Sequence, residues 1–305
     1  MRTAFVKQLV EEARLNEKVF FLVADLGYNV VEDFAKEFPD RFINVGIAEQ
    51  NMAGIAAGLA KEGFIPFIYS IGNFPTLRCM EQIRYDICYH NLNVNIVAVG
   101  GGYAYGSLGT SHHTTEELGM LRTIPTLTVC APADPIESRM LTTMAVNDPT
   151  PFYIRLGKNG EKAIHEKSLE NYQIGEPLLV RKGETTAVLS TGSIGIDNLD
   201  FITENNINAS VYTFPVIKPL NKERLAQLFN SYKKIITVEE HQASAGFGSA
   251  ILECLNDLQE EGLLTGIPKV KRIAIKDTFT SVAGSQKFLK EKNGLILKKE
   301  YFTAY

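Results

Sequence analysis

No apolar run in this sequence approaches the roughly 20 residues that a membrane-spanning helix needs. Residues 1–15 are amphipathic and carry Lys7, Glu11, Glu12 and Arg14, so they lack the uncharged core of a secretion signal. Neither sign of charge is in large excess. The formal net charge is −4 with acids and bases interspersed, which excludes the basic face of a nucleic-acid binder. A phosphorylated ligand would have to meet local positive charge. Cysteine is scarce: Cys79, Cys88, Cys130 and Cys254 show neither CxxC nor zinc-ligand spacing. Each stands in an apolar or helical context, which predicts buried reduced thiols in a cytoplasmic protein. Short repeats and low-complexity tracts are also missing. What remains is a globular composition, 45% hydrophobic and 22% charged, and 305 residues suffice for two domains with a core each.

The dominant pattern alternates apolar runs of strand length with amphipathic segments of helix length. Strands are expected at 19–24, 66–70, 94–99, 127–130, 152–154, 187–190, 209–213, 235–238 and 272–275, with a further strand ending at 44–46. Helices are expected near 3–15, 48–61, 77–89, 115–122, 135–147, 194–205, 221–230, 244–259 and 285–292. Continuous apolar strands alternating with helices predict an α/β fold of mostly parallel sheets covered on both faces. Residues 157–175 are rich in charge and poor in apolar side chains. They read as a linker at 161–176 between a domain at 1–160 and a domain at 177–305.

Four segments carry candidate chemistry. In NVGIAEQNMAGIAAGLA (44–60) a strand end leads into a helix with Met52, Ile55, Ala56 and Leu59 on one stripe. Gly54 and Gly58 lie four apart on a neighbouring face, where each weakens the helix by about 1 kcal/mol relative to alanine. That spacing suggests close approach of another backbone. Glu49 is then either a surface acid favoured by the helix dipole or an acid at the carboxyl edge of a parallel sheet, where such folds place ligands. In IPFIYSIGNFPTLRCMEQIRYD (65–86) Phe74 follows a strand and a Gly-Asn turn, and could stack on a flat ring or simply pack in the core. Glu81, Arg84 and Asp86 have ion-pair spacings. In GGGYAYGSLGTSHHTTEE (100–117) five glycines within ten residues suggest a flexible loop carrying His112 and His113. Paired imidazoles suit proton transfer or polar substrate contacts. They have no third ligand at convincing spacing for a metal. In TVEEHQASAGFGSA (237–250) the single GxG is weak evidence for a dinucleotide, and a structural turn explains it as well.

Taken in order, NVGIAEQNMAGIAAGLA, YSIGNF, GSLGTSHHTTEE with Arg122 and APAD, and VEEH with GFGSA resemble the transketolase family along almost the whole chain. The likeness is strongest to the carboxyl-terminal subunit of transketolases split into two polypeptides. It implies a thiamine-diphosphate pyrimidine-binding domain followed by a transketolase carboxyl-terminal domain. It further implies that Glu49 hydrogen-bonds the aminopyrimidine ring nitrogen and enforces its reactive tautomer. Phe74 would stack on that ring and Asp25 would lie near the cofactor. His112, with His113 as an alternative, would contact sugar oxygens, and Arg155 would bind a substrate phosphate.

This sequence also departs from the family pattern. No GDG occurs in it, so the diphosphate and Mg2+ ligands are expected on a separate amino-terminal subunit that carries the motif. Two such pairs would assemble as a heterotetramer, or this chain would at least dimerise. Leu108 replaces an aspartate that reads sugar stereochemistry, and Arg155 alone makes a thin phosphate site. The implied activity is transfer of a two-carbon ketol unit from a ketose to an aldose, phosphorylated or not. The alternatives are a decarboxylating enzyme like deoxyxylulose-phosphate synthase, the beta subunit of a 2-oxo-acid dehydrogenase, or a scaffolding partner without activity.

Overall fold

In the computed structural model, which describes residues 1–303, the amphipathic opening segment is helix α1 (Arg2–Leu15). It turns Phe5, Val6, Leu9, Val10 and Ala13 inward and leaves Lys7, Glu11 and Arg14 exposed. The first sheet is then built from β1 (Val19–Val23), β2 (Phe42–Asn44), β3 (Ile65–Ile71), β4 (Asn95–Val99), β5 (Thr128–Cys130) and β6 (Phe152–Leu156), all parallel where they pair with one another. The crossovers carry helices α2 (Glu32–Glu37), α3 (Glu49–Lys61), α4 (Glu117–Leu121) and α5 (Pro135–Asn147). Both faces are apolar because successive side chains alternate across the sheet. Phe21, Val23, Phe67, Tyr69, Val97 and Val99 meet α1 and α5 on one side. Leu22, Ile68, Ile96 and Ala98 meet Met52, Ala53 and Ala56 of α3 on the other.

The second sheet comprises β7 (Leu178–Arg181), β8 (Thr186–Ser190), β9 (Ala209–Thr213), β11 (Lys234–Gln242) and β12 (Lys269–Ile275), in the order β12-β11-β8-β9-β7. It is parallel except for β7, which runs antiparallel to β9 at the edge. Helices α6 (Ile194–Glu204), α7 (Lys222–Ser231), α8 (Phe247–Glu260) and α9 (Gln286–Lys292) flank it. The short strand β10 (Val216–Lys218) leaves this region and pairs antiparallel with β5, completing a seven-stranded first sheet in the order β10-β5-β6-β4-β3-β1-β2. One apolar cluster runs continuously from α3 and the first sheet to Phe214, Leu225, Phe247 and Ile251.

Three expectations change in detail. The helix expected over 77–89 is wound as a 3-10 turn at Leu77–Cys79 followed by a π-helical stretch at Gln82–Cys88. The glycine-rich segment after β4 is packed at its start and exposed over most of 107–111. Gly101 and Gly102 are buried, and a Cβ would fall 2.3 Å from Arg155 Nε at Gly101 and 2.6 Å from Glu240 Cβ at Gly102. Elements α2, β7 and β10 fall outside the expected set. Two of them are very short, and β7 is a partly exposed edge without a continuous apolar run.

Candidate active site

The strands of the first sheet are parallel, so their carboxyl ends open on one edge, where α/β folds bind ligands. Asn44 ends β2 there, and Asp25, Glu49, Phe74 and the 100–113 loop follow strands that end there. Asp25 is exposed, with a left-handed φ of 48°. Its backbone N–H donates to Asn44 Oδ1 at 3.1 Å, and the same oxygen accepts the Gly46 N–H at 3.0 Å. The Asn44 side chain therefore shapes the turn that aims the start of α3.

Glu49 opens α3 and is only 2% exposed, although nothing about a helix-terminal carboxylate requires burial. Its Oε1 accepts a hydrogen bond from Ser70 Oγ at 3.1 Å. Its Oε2 is ion-paired with Arg78 Nη1 at 2.6 Å. The Arg78 guanidinium lies over the Phe74 ring, 4.9 Å from the centroid. The Phe74 ring in turn meets His112 edge-on, with centroids 5.5 Å apart. The fold thus brings Glu49, Phe74 and His112 into one chain of contacts. Ser70 and Arg78 complete it, and sequence reasoning missed both. A search for the cation that a buried acid demands would have pointed to Arg78.

The loop bearing the histidines is pinned against β3. Asn73 Nδ2 donates to the His113 carbonyl at 2.8 Å. Gly72, at φ 32°, lets Thr114 approach so closely that a Cβ would lie 1.9 Å from its Oγ1. The two imidazoles part company. His112 is half-buried beside Phe74, with Nδ1 3.0 Å from Ser111 Oγ. His113 is buried, edge-on to Tyr103, with Nε2 3.3 Å from the Gly106 carbonyl. That contact makes Nε2 the donor and leaves the Nδ1 lone pair unpartnered.

Arg155, expected to bind a substrate phosphate, is not brought to this cluster. It is 5% exposed and ion-paired with Glu117 at 3.0 Å. Its Nη2 donates to the carbonyls of Glu240, at 2.9 Å, and Thr114. A guanidinium committed in this way joins the two domains. Burial pushes the Glu117 carboxyl up, against the pull of Arg155. Arg122 is likewise engaged, pairing α4 with Glu253 of α8.

The segment 237–250 has a structural explanation. Glu239 accepts the N–H groups of Phe247 at 2.6 Å and Gly248 at 2.8 Å, so it caps α8 and leaves no room there for a phosphate. A Cβ at Gly246 would lie 2.2 Å from Glu239 Oε2. Among the described residues one cluster has metal-ligand chemistry: atoms of Asp134, Glu137 and His165 lie within 4.8 Å of one another. Most of their carboxylate lone pairs are already taken. Asp134 Oδ1 accepts two N–H groups at the start of α5, and its Oδ2 accepts those of Ile164 and His165. Glu137 holds His165 Nε2 at 2.7 Å, Thr213 Oγ1 at 2.5 Å and the Ala133 N–H at 2.6 Å. The cluster is a hydrogen-bonded clamp between the first domain, the connecting segment and β9.

Residues 1–160 match the transketolase pyrimidine-binding domain and residues 175–293 the transketolase carboxyl-terminal domain. The chain belongs to the transketolase family. This transketolase-family chain is 34% identical to one of the subunits of the apulose-4-phosphate transketolase of Actinobacillus succinogenes, over 87% of this chain and 84% of that one. A solved split-gene transketolase, described as an inactive β4 tetramer, has a TM-score of 0.82 to it. The identity there is 35%, over 97% of this chain and 93% of that one. It is also 36% identical to 1-deoxy-D-xylulose-5-phosphate synthase 1 of Geobacter sulfurreducens, covering 90% of this chain but only 43% of the synthase.

Proposed function

We propose that this chain is the carboxyl-terminal subunit of a thiamine-diphosphate-dependent transketolase that moves a two-carbon ketol unit from a ketose to an aldose. The observation that carries the reading is the buried Glu49 carboxylate at the start of α3, linked through Arg78 to a half-buried Phe74 and His112. A buried acid with one removable cationic partner suits the aminopyrimidine half of the cofactor, which presents a ring nitrogen that must hold a proton. When bound, thiamine diphosphate supplies the carbon nucleophile and electron sink that ketol transfer requires.

Each residue here has a distinct task. Glu49, steadied by Ser70, holds the proton at the ring nitrogen. Phe74 offers its face to the ring. His112 moves or holds protons at the sugar hydroxyl oxygens, being the imidazole beside Phe74. His113, turned toward Tyr103, supports the loop from behind. Asp25 lies on the same edge, in position to contact the cofactor or the partner chain. Arg155 is left out of the substrate site because its guanidinium is already committed. No GDG occurs in the sequence, so the diphosphate and Mg2+ ligands fall to a partner chain bearing that motif. The working assembly is two copies of each chain.

The test is reconstitution with that partner. Glu49→Gln should leave the chain folded and lower kcat/KM by roughly 10²–10⁴-fold, the usual contribution of a positioned proton carrier. Near-normal turnover would end the reading. The similarity to the synthase favours one second reading, a decarboxylating ligase. Carbon dioxide released from pyruvate by the reconstituted pair would select it over ketol transfer.

A further inference from the structure

Both oxygens of Glu49 are engaged inside this chain, and the two partners differ in kind. Ser70 is fully buried on β3 and its hydroxyl has nowhere to go. The Arg78 side chain is 44% exposed, so its guanidinium can exchange the carboxylate for water. The same guanidinium lies over the Phe74 ring. It therefore covers both features that the proposed function assigns to the cofactor ring, namely the carboxylate and the aromatic face. A cation paired at 2.6 Å with this carboxylate oxygen competes with a protonated ring nitrogen for it. An aromatic face under one flat cation cannot stack on another ring.

The likeness between the two occupants is chemical. A guanidinium is planar, delocalised, positively charged and edged with N–H donors. A protonated aminopyrimidine has all four properties. We propose that Arg78 is a displaceable placeholder for the cofactor's pyrimidine: it occupies the ring's position in the unloaded chain and leaves when the ring arrives. This rests on the proposed function, since it presumes that the ring binds at Glu49. The backbone around Arg78 suits a side chain that must move. It lies in the 3-10 turn Leu77–Cys79, ahead of the π-helical stretch, rather than within a regular α-helix.

The placeholder has effects of opposite sign in the two states. In the unloaded chain it compensates a buried acid, and removing one member of a buried pair leaves an uncompensated charge. In the loaded complex it is a competitor, and removing it favours the ring. A residue that merely decorates the surface would change neither. A residue that binds cofactor or substrate would change the second in the opposite direction.

The experiment pairs thermal unfolding of the chain with calorimetric titration of thiamine diphosphate into the complex formed with its diphosphate-binding partner. Arg78→Ala should lower the Tm of the chain yet tighten cofactor binding about tenfold, the ratio that ~1.4 kcal/mol gives. In a Glu49→Gln background, Arg78→Ala should no longer lower the Tm, because no buried charge remains to compensate. If Arg78→Ala does not fold, Arg78→Gln keeps a planar amide, loses the charge and should give the same result. Unchanged or weaker cofactor binding by either variant overturns the placeholder alone. Failure of the wild-type complex to bind the cofactor overturns the ketol-transfer reading and the placeholder with it.

Discussion

At the scale of single residues, the acids and imidazoles of this chain are sorted by what surrounds them. Glu239 and His241 are neighbours on β11, 3.9 Å apart, yet burial moves them in opposite directions. Burial raises the Glu239 carboxyl to about 7, and burial together with Arg155 lowers the His241 imidazole to about 4. His241 Nε2 accepts the Gly119 N–H at 3.0 Å while Nδ1 donates to the Gln242 carbonyl at 2.8 Å, so only the neutral ring satisfies both contacts.

The signs follow from linkage. The His241 contribution to stability is complete above pH 6.5 and is lost as the pH falls toward 4. The Glu239 contribution is complete below pH 4.5 and is lost as the pH rises toward 7. The two slopes oppose each other between 4.5 and 6.5, so this pair together should contribute little net pH dependence there. Glu239→Gln should expose the His241 slope, with stability rising with pH by up to about 1.4 kcal/mol per unit. His241→Gln should expose the opposite slope. Urea midpoints across that window measure both, and a level profile in either variant would refute the assignment.

Glu49, Phe74 and His112 stand out as candidates in the sequence because each sits next to a turn with a recognisable signal, and the fold brings them together. The place of the Arg155 guanidinium is not legible, since a strand residue flanked by Ile154 and Leu156 gives no sign of whether a glycine opposite will admit it. Gly101 does admit it.

Among the elements, α3 is the most informative. Its inward face is Met52, Ala53, Ala56 and Ala57, close to the stripe that periodicity anticipates. Gly54 and Gly58 are exposed, and a Cβ at either would meet nothing within 4 Å. The π-helical stretch beside α3 presents Tyr85 and Tyr89 stacked in the open, 5.7 Å apart and within 10° of parallel. The two glycines weaken the helix without serving any neighbour among the described residues, which makes this face a candidate for contact with another chain, to be tested as a second copy. Gly54→Leu should therefore stabilise the isolated chain by up to about 1 kcal/mol through helix propensity while weakening self-association. Thermal unfolding reads the first effect and sedimentation velocity the second. Unaltered association would move the interface elsewhere. The irregular winding from Leu77 to Cys88 is beyond periodicity, because seven π-helical residues still present Ile83, Ile87 and Cys88 inward as a helix would.

At the scale of the molecule, the mostly parallel order of both sheets is legible in the sequence because the strands other than β7 and β10 are apolar runs between helices. The coupling between the domains is not. It is made of contacts remote in sequence: Arg155 with the Glu240 carbonyl, Glu137 with Thr213, and Gly119 with His241. Replacing His165 by alanine removes one partner of buried Glu137, and burial of that pair makes it worth on the order of 1–3 kcal/mol. The Tm should fall in a single transition if the domains unfold together, and calorimetry would reveal two if they do not.

The strand β10 gives the chain a topology that its linear order conceals. A polypeptide ended at residue 176 would keep six strands of its first sheet but leave β5 with an unpaired flank, a ready template for another chain to pair with. The downstream fragment would carry a stranded ribbon, flanked by Pro215 and Pro219, with no sheet of its own to join. Genetic dissection at the obvious charged connector would thus yield two sticky, incomplete pieces.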